Sequence, residues 1–296
     1  MMFTNYSKDI HSVNLPIESE KLSDEYFSVI IEPAGTWLNP NWVELWEHRE
    51  LFYFLTLRDI KIRYKQTLLG ITWVLLQPAI STLVFSILFT NLGQNSPLNV
   101  PYPVFAFSGF TVWIFIAVAI SSSSSSLISN PNLVTKVYFP RLILPLSAVA
   151  ANLLDLLLGL ISLMVVMAIY GVAISRTLIF APLFLILCFT IATSIGILLS
   201  AINVRFRDVK YILPVVLQLW LFVTPIFYSL DMIPEKTRWI WKLNPMTGAV
   251  GGFRAALFGA SFDSFEIAVS VVAAVILAAL ALQIFYRMED GFADVI

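Results

Sequence analysis

Four cations, Arg58, Lys61, Arg63 and Lys65, stand within eight residues of the stretch "LRDIKIRYKQTLLGITW" (57–73), directly ahead of an apolar run. Arg58, Lys61 and Lys65 are spaced i, i+3, i+7 and share one face of a helix, whereas Arg63 points elsewhere. At an anionic membrane surface each such cation gains about 1 kcal/mol. Two chemistries fit. One is a topology anchor under the positive-inside rule. The other is a receptor for an anionic head group such as a diphosphate, which needs charge-assisted bonds converging on one place.

Most other chemistry is missing from the sequence. It has no G-x-x-x-x-G-K-[ST] loop to cradle ATP phosphates, no C-x-x-C, no H-E-x-x-H and no paired aspartates for a metal. His11 and His48 are the only histidines, and the lone Cys188 sits in an apolar run, where a thiol packs as a small hydrophobe. Asp155, in "ANLLDLLLGL", is the one acid inside an apolar segment. It is read either as a cavity-lining residue or, preferably, as a hydrogen-bond partner for a neighbouring helix. A single such acid argues against a proton relay, and so against an ion-coupled carrier. No catalytic set and no metal site can be assembled, which predicts a non-enzymatic chain without a cofactor of its own.

The elements that must position these residues follow from composition. Of 296 residues, 58% are hydrophobic and 12% charged, with a mean hydropathy of +0.84. Soluble domains carry about 25% charged residues, so this is an integral membrane protein. A net charge of −1 speaks against nucleic acid as a partner. Six segments reach the length of a spanning helix: 69–92, 103–126, 143–172, 178–202, 211–229 and 265–286. The third is long enough to require tilt. Lys and Arg alternate between the connections so that both termini face the cytoplasm. The expected organisation is a polar tail (1–38), an interface helix (39–66), a transmembrane domain (67–288) and a short cytoplasmic tail (289–296).

Two segments depart from that plan. Connection 230–264 should face outward, yet it holds Lys236, Arg238, Lys242 and Arg254 and is half apolar. With Pro245, Gly248, Gly251 and Gly252 read as breaks, it suits a re-entrant helix pair better than an ordinary outer loop. Upstream, "NPNWVELWEHRELFYFLTL" (39–57) reads as one amphipathic surface helix capped by Asn41, with Trp42, Trp46, Phe52, Tyr53 and Leu57 on its apolar side.

The chain is 14% aromatic, and Trp73, Trp113, Trp220, Phe227 and Tyr228 fall in or near the spans. Sugar rings present apolar C–H faces that pack on aromatic rings, so these five are candidates for a glycan track; lipid-facing or interfacial aromatics are the alternative. The run Ser121–Ser126 either lines a wet vestibule or bonds its own backbone.

"LRDIKIRYKQTLLGITWVLLQP" resembles the start of the membrane subunit of ABC transporters that export surface polysaccharides, O-antigen and capsule among them. The resemblance continues in order through "NPNLVTKVYFPRLILPLS", "NVRFRDVKYILP", "TPIFY", "LNPMTGAVGGFR" and the ending "RMEDGFADVI", covering nearly all of 38–296. It implies an all-α polytopic permease of the type-2 exporter kind, with six transmembrane helices, an amphipathic N-terminal helix and re-entrant helices before the last span. It further implies a second copy of the chain, two copies of a separate nucleotide-binding subunit that holds ATP and Mg, and residence in the bacterial inner membrane. The cargo is polysaccharide on a polyprenyl diphosphate, whose head group Arg58, Lys61 and Lys65 would meet. The link 130–140 becomes the helix that docks into the ATPase, with Asn130 or Asn132 as its cap. Leu133, Val134, Val137, Tyr138 and Phe139 would supply apolar contact, and Lys136 orientation. Export of teichoic acid or another substrate on the same fold is the rival, as is a membrane-embedded polyprenyl-carrier transferase, against which the missing catalytic acids count.

Overall fold

Apolar runs that find no water for their backbone fold as helices. The computed structural model describes residues 42–65, 70, 72–91, 98 and 100–292, and contains no strand among them. The helices are α1 (Trp42–Glu47), α2 (Arg49–Tyr64), α3 (Thr72–Asn91), α4 (Tyr102–Ser125), α5 (Pro131–Lys136), α6 (Ile143–Ala151), α7 (Leu153–Ile169), α8 (Ala181–Arg205), α9 (Val209–Val223), α10 (Glu235–Lys242), α11 (Pro245–Phe258) and α12 (Ser264–Glu289). The tail 1–38, the Asn41 cap and residues 293–296 lie outside the described residues.

All six expected apolar segments are helical, but only five helical stretches among the described residues are long and apolar enough to cross a membrane. The fifth segment falls short. Expected over 211–229, it ends at Val223, because Thr224 turns extended ahead of Pro225. A residue before proline is pushed out of the helical region by the ring. Its 15 residues reach about 22 Å at 1.5 Å each, against a hydrocarbon core of about 30 Å.

The third segment is one long apolar stretch as expected, Ile143–Ile169, with a local turn inside it. The turn at Asn152 divides it into α6, most of whose residues are buried, and α7, whose Leu153, Leu157, Ile161, Val165 and Ile169 form one exposed stripe. α6 packs against α2. The excess length is therefore taken up by a helix covered with protein, and the open apolar stripe begins only at Leu153.

α4 is the central helix, packing on α3, α6, α7, α8 and α9. Two apolar clusters result. One, at the upper end of the bundle, joins Phe105, Trp113, Phe184, Ile226 and Phe253; the other, at the lower end, joins Leu55, Val134, Phe139, Phe285 and Phe292. The serine run is a packing seam between them. Ser122, Ser124, Ser125 and Ser126 all donate to carbonyls of their own helix, and a Cβ on Gly196 of α8 would lie 2.6 Å from the Ser123 side chain.

The expected single surface helix over 39–57 is two, interrupted at His48, whose Nδ1 lies 2.8 Å from the Glu44 carbonyl. The face turned inward is Leu51, Phe52 and Leu55, which meet the lower cluster, while Trp46 and Tyr53 stay exposed. Two leucines and the Phe52 ring meet the lower cluster; Trp46 and Tyr53, which carry polar groups, are left outside.

Candidate functional site

α2 carries the cation segment to the lower margin of the α7 stripe. Arg58 donates to the neighbouring Asp59 carboxylate at 2.9 Å and is partly exposed, while Lys61 and Lys65 are open to solvent. Arg63, set apart by the helical wheel, pairs with Asp155, and the Tyr64 hydroxyl donates to the same carboxylate. Burial first, and then Asp155, push the Tyr64 phenol pKa up. Asp155 thus has two partners some ninety residues away in sequence, in the first turn of α7. The preferred expectation for this acid, a structural partner, agrees with that placement.

Segment 130–140 also sits at the lower end. α5 starts after Asn130, whose side chain does not cap it but donates back to the Ser126 carbonyl at 2.8 Å. Asn132, Lys136, Val137 and Tyr138 are exposed, Tyr138 by 75%, and Leu133 is half-buried. Val134 (2%) and Phe139 (5%) are buried in the lower cluster. The expected docking set is therefore split. Val134 and Phe139 are spent holding the segment to its own chain, and an outside protein can reach only the others. Glu44 of α1 stands beside Tyr138 and pushes its phenol pKa up.

The stretch expected to be re-entrant is helical and packed at the upper end. α10 and α11 fill the stretch between the short α9 and α12, and α11 is buried over most of its length against α8 and α12. Asn244 caps α11 by accepting from Met246 N at 3.1 Å, and Pro245 follows at the first helical position. Gly248, Gly251 and Gly252, read as breaks, lie inside this helix. A Cβ on Gly248 would strike the Glu266 carbonyl of α12, and one on Gly252 the Phe184 ring of α8. Gly248 and Gly252 serve close packing, a pattern that small residues make possible between membrane helices.

Arg254, 3% exposed, anchors the arrangement. It donates to the carbonyls of Pro225 (2.6 Å), Phe105 (2.9 Å) and Ile226 and to Ser108 Oγ (3.2 Å), and lies over the Phe105 ring. The acceptors at Pro225 and Ile226 exist because α9 stops where it does. Above it, Phe85, Phe89, Tyr102, Phe110 and Phe227 form an aromatic stack, with the Tyr102 hydroxyl on the Phe227 carbonyl at 2.7 Å.

The five candidate aromatics consequently part company. Trp113 (5%) and Phe227 (8%) are interior, so in one copy of the chain they offer no open face to a glycan; Trp113 meets Trp220 edge-on at 5.8 Å. Trp220 and Tyr228 are half-buried, and Trp73 is 54% exposed. Among the described residues no group of His, Cys, Asp or Glu could hold a metal ion.

Comparison with known proteins places this geometry in context. The family model described as "ABC-2 type transporter" matches residues 50–258. An O-antigen export system permease protein of Myxococcus xanthus is 32% identical over 256 residues, 85% of this chain and 97% of that protein. One from Klebsiella pneumoniae is 28% identical over 83% of this chain and 95% of its own length. A polysialic acid transport protein of Escherichia coli is 24% identical over 69% of this chain and 79% of its own.

Proposed function

Because this chain belongs to the ABC-2 type transporter family, we propose that it is the permease subunit of an exporter moving O-antigen-like polysaccharide on a polyprenyl diphosphate across the inner membrane. The observation that carries this is the near end-to-end match, 32% identical over 97% of the relative, to an O-antigen export permease. A separate nucleotide-binding subunit supplies ATP hydrolysis, since the sequence offers no phosphate-cradling loop. The lower end faces the cytoplasm, with both termini.

Each part of the molecule then has its task. The exposed Asn132, Lys136, Val137 and Tyr138 dock the ATPase, with Leu133 at the margin, while Val134 and Phe139 brace them from within. Lys61 and Lys65, with Arg58 beside them, meet the diphosphate where α2 reaches the membrane margin; their exposure supports this reading. Arg63 is committed to Asp155 and holds α2 in place. The apolar faces left open on α3 and α9, such as Leu83, Ile87, Leu219 and Phe222, support contact with a second copy of the chain. Between two copies, Trp73, Trp220 and Tyr228 are the candidate aromatics that still have surface to offer a sliding glycan.

The test is a cell lacking this chain but otherwise able to assemble the glycan. Lipid-linked polysaccharide should accumulate inside, with none at the surface, and the intact chain should reverse both. Surface polysaccharide at normal levels without the chain would reject the proposal.

A further inference from the structure

The lower end holds a charged contact that neither head-group binding nor docking uses. Arg141, in the turn ahead of α6, and Glu289, the last residue of α12, hold each other, and Arg141 caps the end of α12. The Glu289 carboxylate accepts from the Arg141 backbone N–H at 3.1 Å, and the Arg141 guanidinium donates to the Glu289 backbone carbonyl. The first N–H groups and last carbonyls of a helix have no intrahelical partner. An acid suits the first kind of end and a cation the second. Here Arg141 supplies a cationic donor to the last carbonyl of α12, and the Glu289 carboxylate fixes the backbone just ahead of α6, across 148 residues of sequence. Behind the pair, Phe292 packs edge-on against Phe285 at 5.4 Å, in the same cluster as Phe139.

α12 is one unbroken helix of 26 residues, about 39 Å at 1.5 Å per residue. Its other end is fastened as firmly. Ser270 Oγ donates to the Pro245 carbonyl at 2.6 Å, Lys242 meets Glu266 at 3.1 Å, and Gly248 lets α11 lie directly on the Glu266 backbone. The segment after α5 is thus tied to one end of a rod, and α11 to the other.

We infer that Arg141 and Glu289 are positioning residues that make the last span move with the docking segment, so that α12 carries displacement from the ATPase side to α11. Packed, rigid elements with fixed contacts at both ends are the physical means by which distant sites are coupled. The inference rests on the permease reading above. Removing the pair breaks the link without touching the exposed docking residues.

The experiment uses the complete complex with its ATPase, reconstituted in liposomes. Spin labels at Thr135, exposed on α5 and outside the docking set, and at Asp290, in the otherwise unaltered chain, should keep one distance between the ATP-free and vanadate-trapped states. In Arg141→Ala the same distance should differ between the two states. Arg141→Ala and Glu289→Ala should retain ATP hydrolysis within about twofold while glycan transport falls tenfold or more, and Glu289→Gln, which keeps an acceptor for the Arg141 N–H, should recover most of it. A label distance that changes in the unaltered chain, or transport and hydrolysis falling in parallel in folded variants, would overturn the inference. Failure of the permease reading looks different: the unaltered complex would show no ATP-dependent transport at all.

Discussion

α5 and α11 are both short helices that interrupt the membrane pattern, and they end in opposite surroundings. α5 turns Tyr138 outward, 75% exposed, and leaves apolar surface uncovered at the lower end. α11 buries even its cation, with Arg254 at 3% exposure and only carbonyls, a hydroxyl and a ring around it. A buried guanidinium with four of its five N–H groups on fixed acceptors is out of reach of a ligand, so Arg254 is architecture. Tyr138, by contrast, keeps its ring in solvent beside the buried anchor Phe139.

The comparison breaks most visibly at Arg254. Arg254→Met would strand the Pro225 and Ile226 carbonyls in an apolar interior, at about 1–3 kcal/mol each, while the Phe105 carbonyl keeps the Ser108 hydroxyl. The purified variant should melt far below the parent protein or fail to accumulate, and Arg254→Lys should recover part of the loss. A variant with the parent melting temperature would show that the acceptors do not depend on the guanidinium.

At α5 the two neighbours should separate cleanly. Phe139→Ala removes a buried ring and should cost about 3–5 kcal/mol of stability, read as a lower melting temperature. Tyr138→Ala should leave stability within about 0.5 kcal/mol, as exposed substitutions do, yet weaken co-purification of the ATPase. Equal effects of both changes would dissolve the distinction between anchor and docking residue.

Lys61→Gln and Lys65→Gln sharpen the cation segment. Each should remove a charge-assisted bond of about 1.5–3 kcal/mol, so affinity for a diphosphate-headed lipid falls by about tenfold to a hundredfold with melting unchanged. Arg63→Gln should do the reverse, lowering stability through the Asp155 contact while sparing affinity. If all three behave alike, the segment is a topology anchor.

The smallest effect lies at the upper rim. Lys242, 2.5 Å from Asp263, holds that carboxyl below its usual pKa, and Asp263 holds the Lys242 amine above its own. A depressed carboxylate contributes stability that is present above its ordinary value near 4 and lost as pH falls through the lowered one. Acid melting curves should therefore show a small loss in that range, absent in Asp263→Asn.

How much of this is readable in the sequence depends on the range of the contacts. Helix positions follow from local hydropathy, so all six apolar segments emerge, and the surplus charge around Arg254 marks 230–264 as unusual. What fails is non-local. Gly248 and Gly252 have the same local signature whether they end a helix or admit a neighbour, and only Glu266 and Phe184 decide. Asp155 offers no hint of Arg63. Phe139 and Tyr138 are adjacent aromatics, and α2, α6 and the C-terminal turn determine which one is covered. The stop at Val223 is legible in Pro225, although the hydropathy alone runs on past it.

The most direct test of the permease account reconstitutes this chain with and without its ATPase partner and follows movement of lipid-linked polysaccharide across the bilayer. The account expects no ATP hydrolysis and no transport by the chain alone. Both should appear when the partner is added and be abolished together by Tyr138→Asp. Hydrolysis or transport by the purified chain without the partner would contradict it.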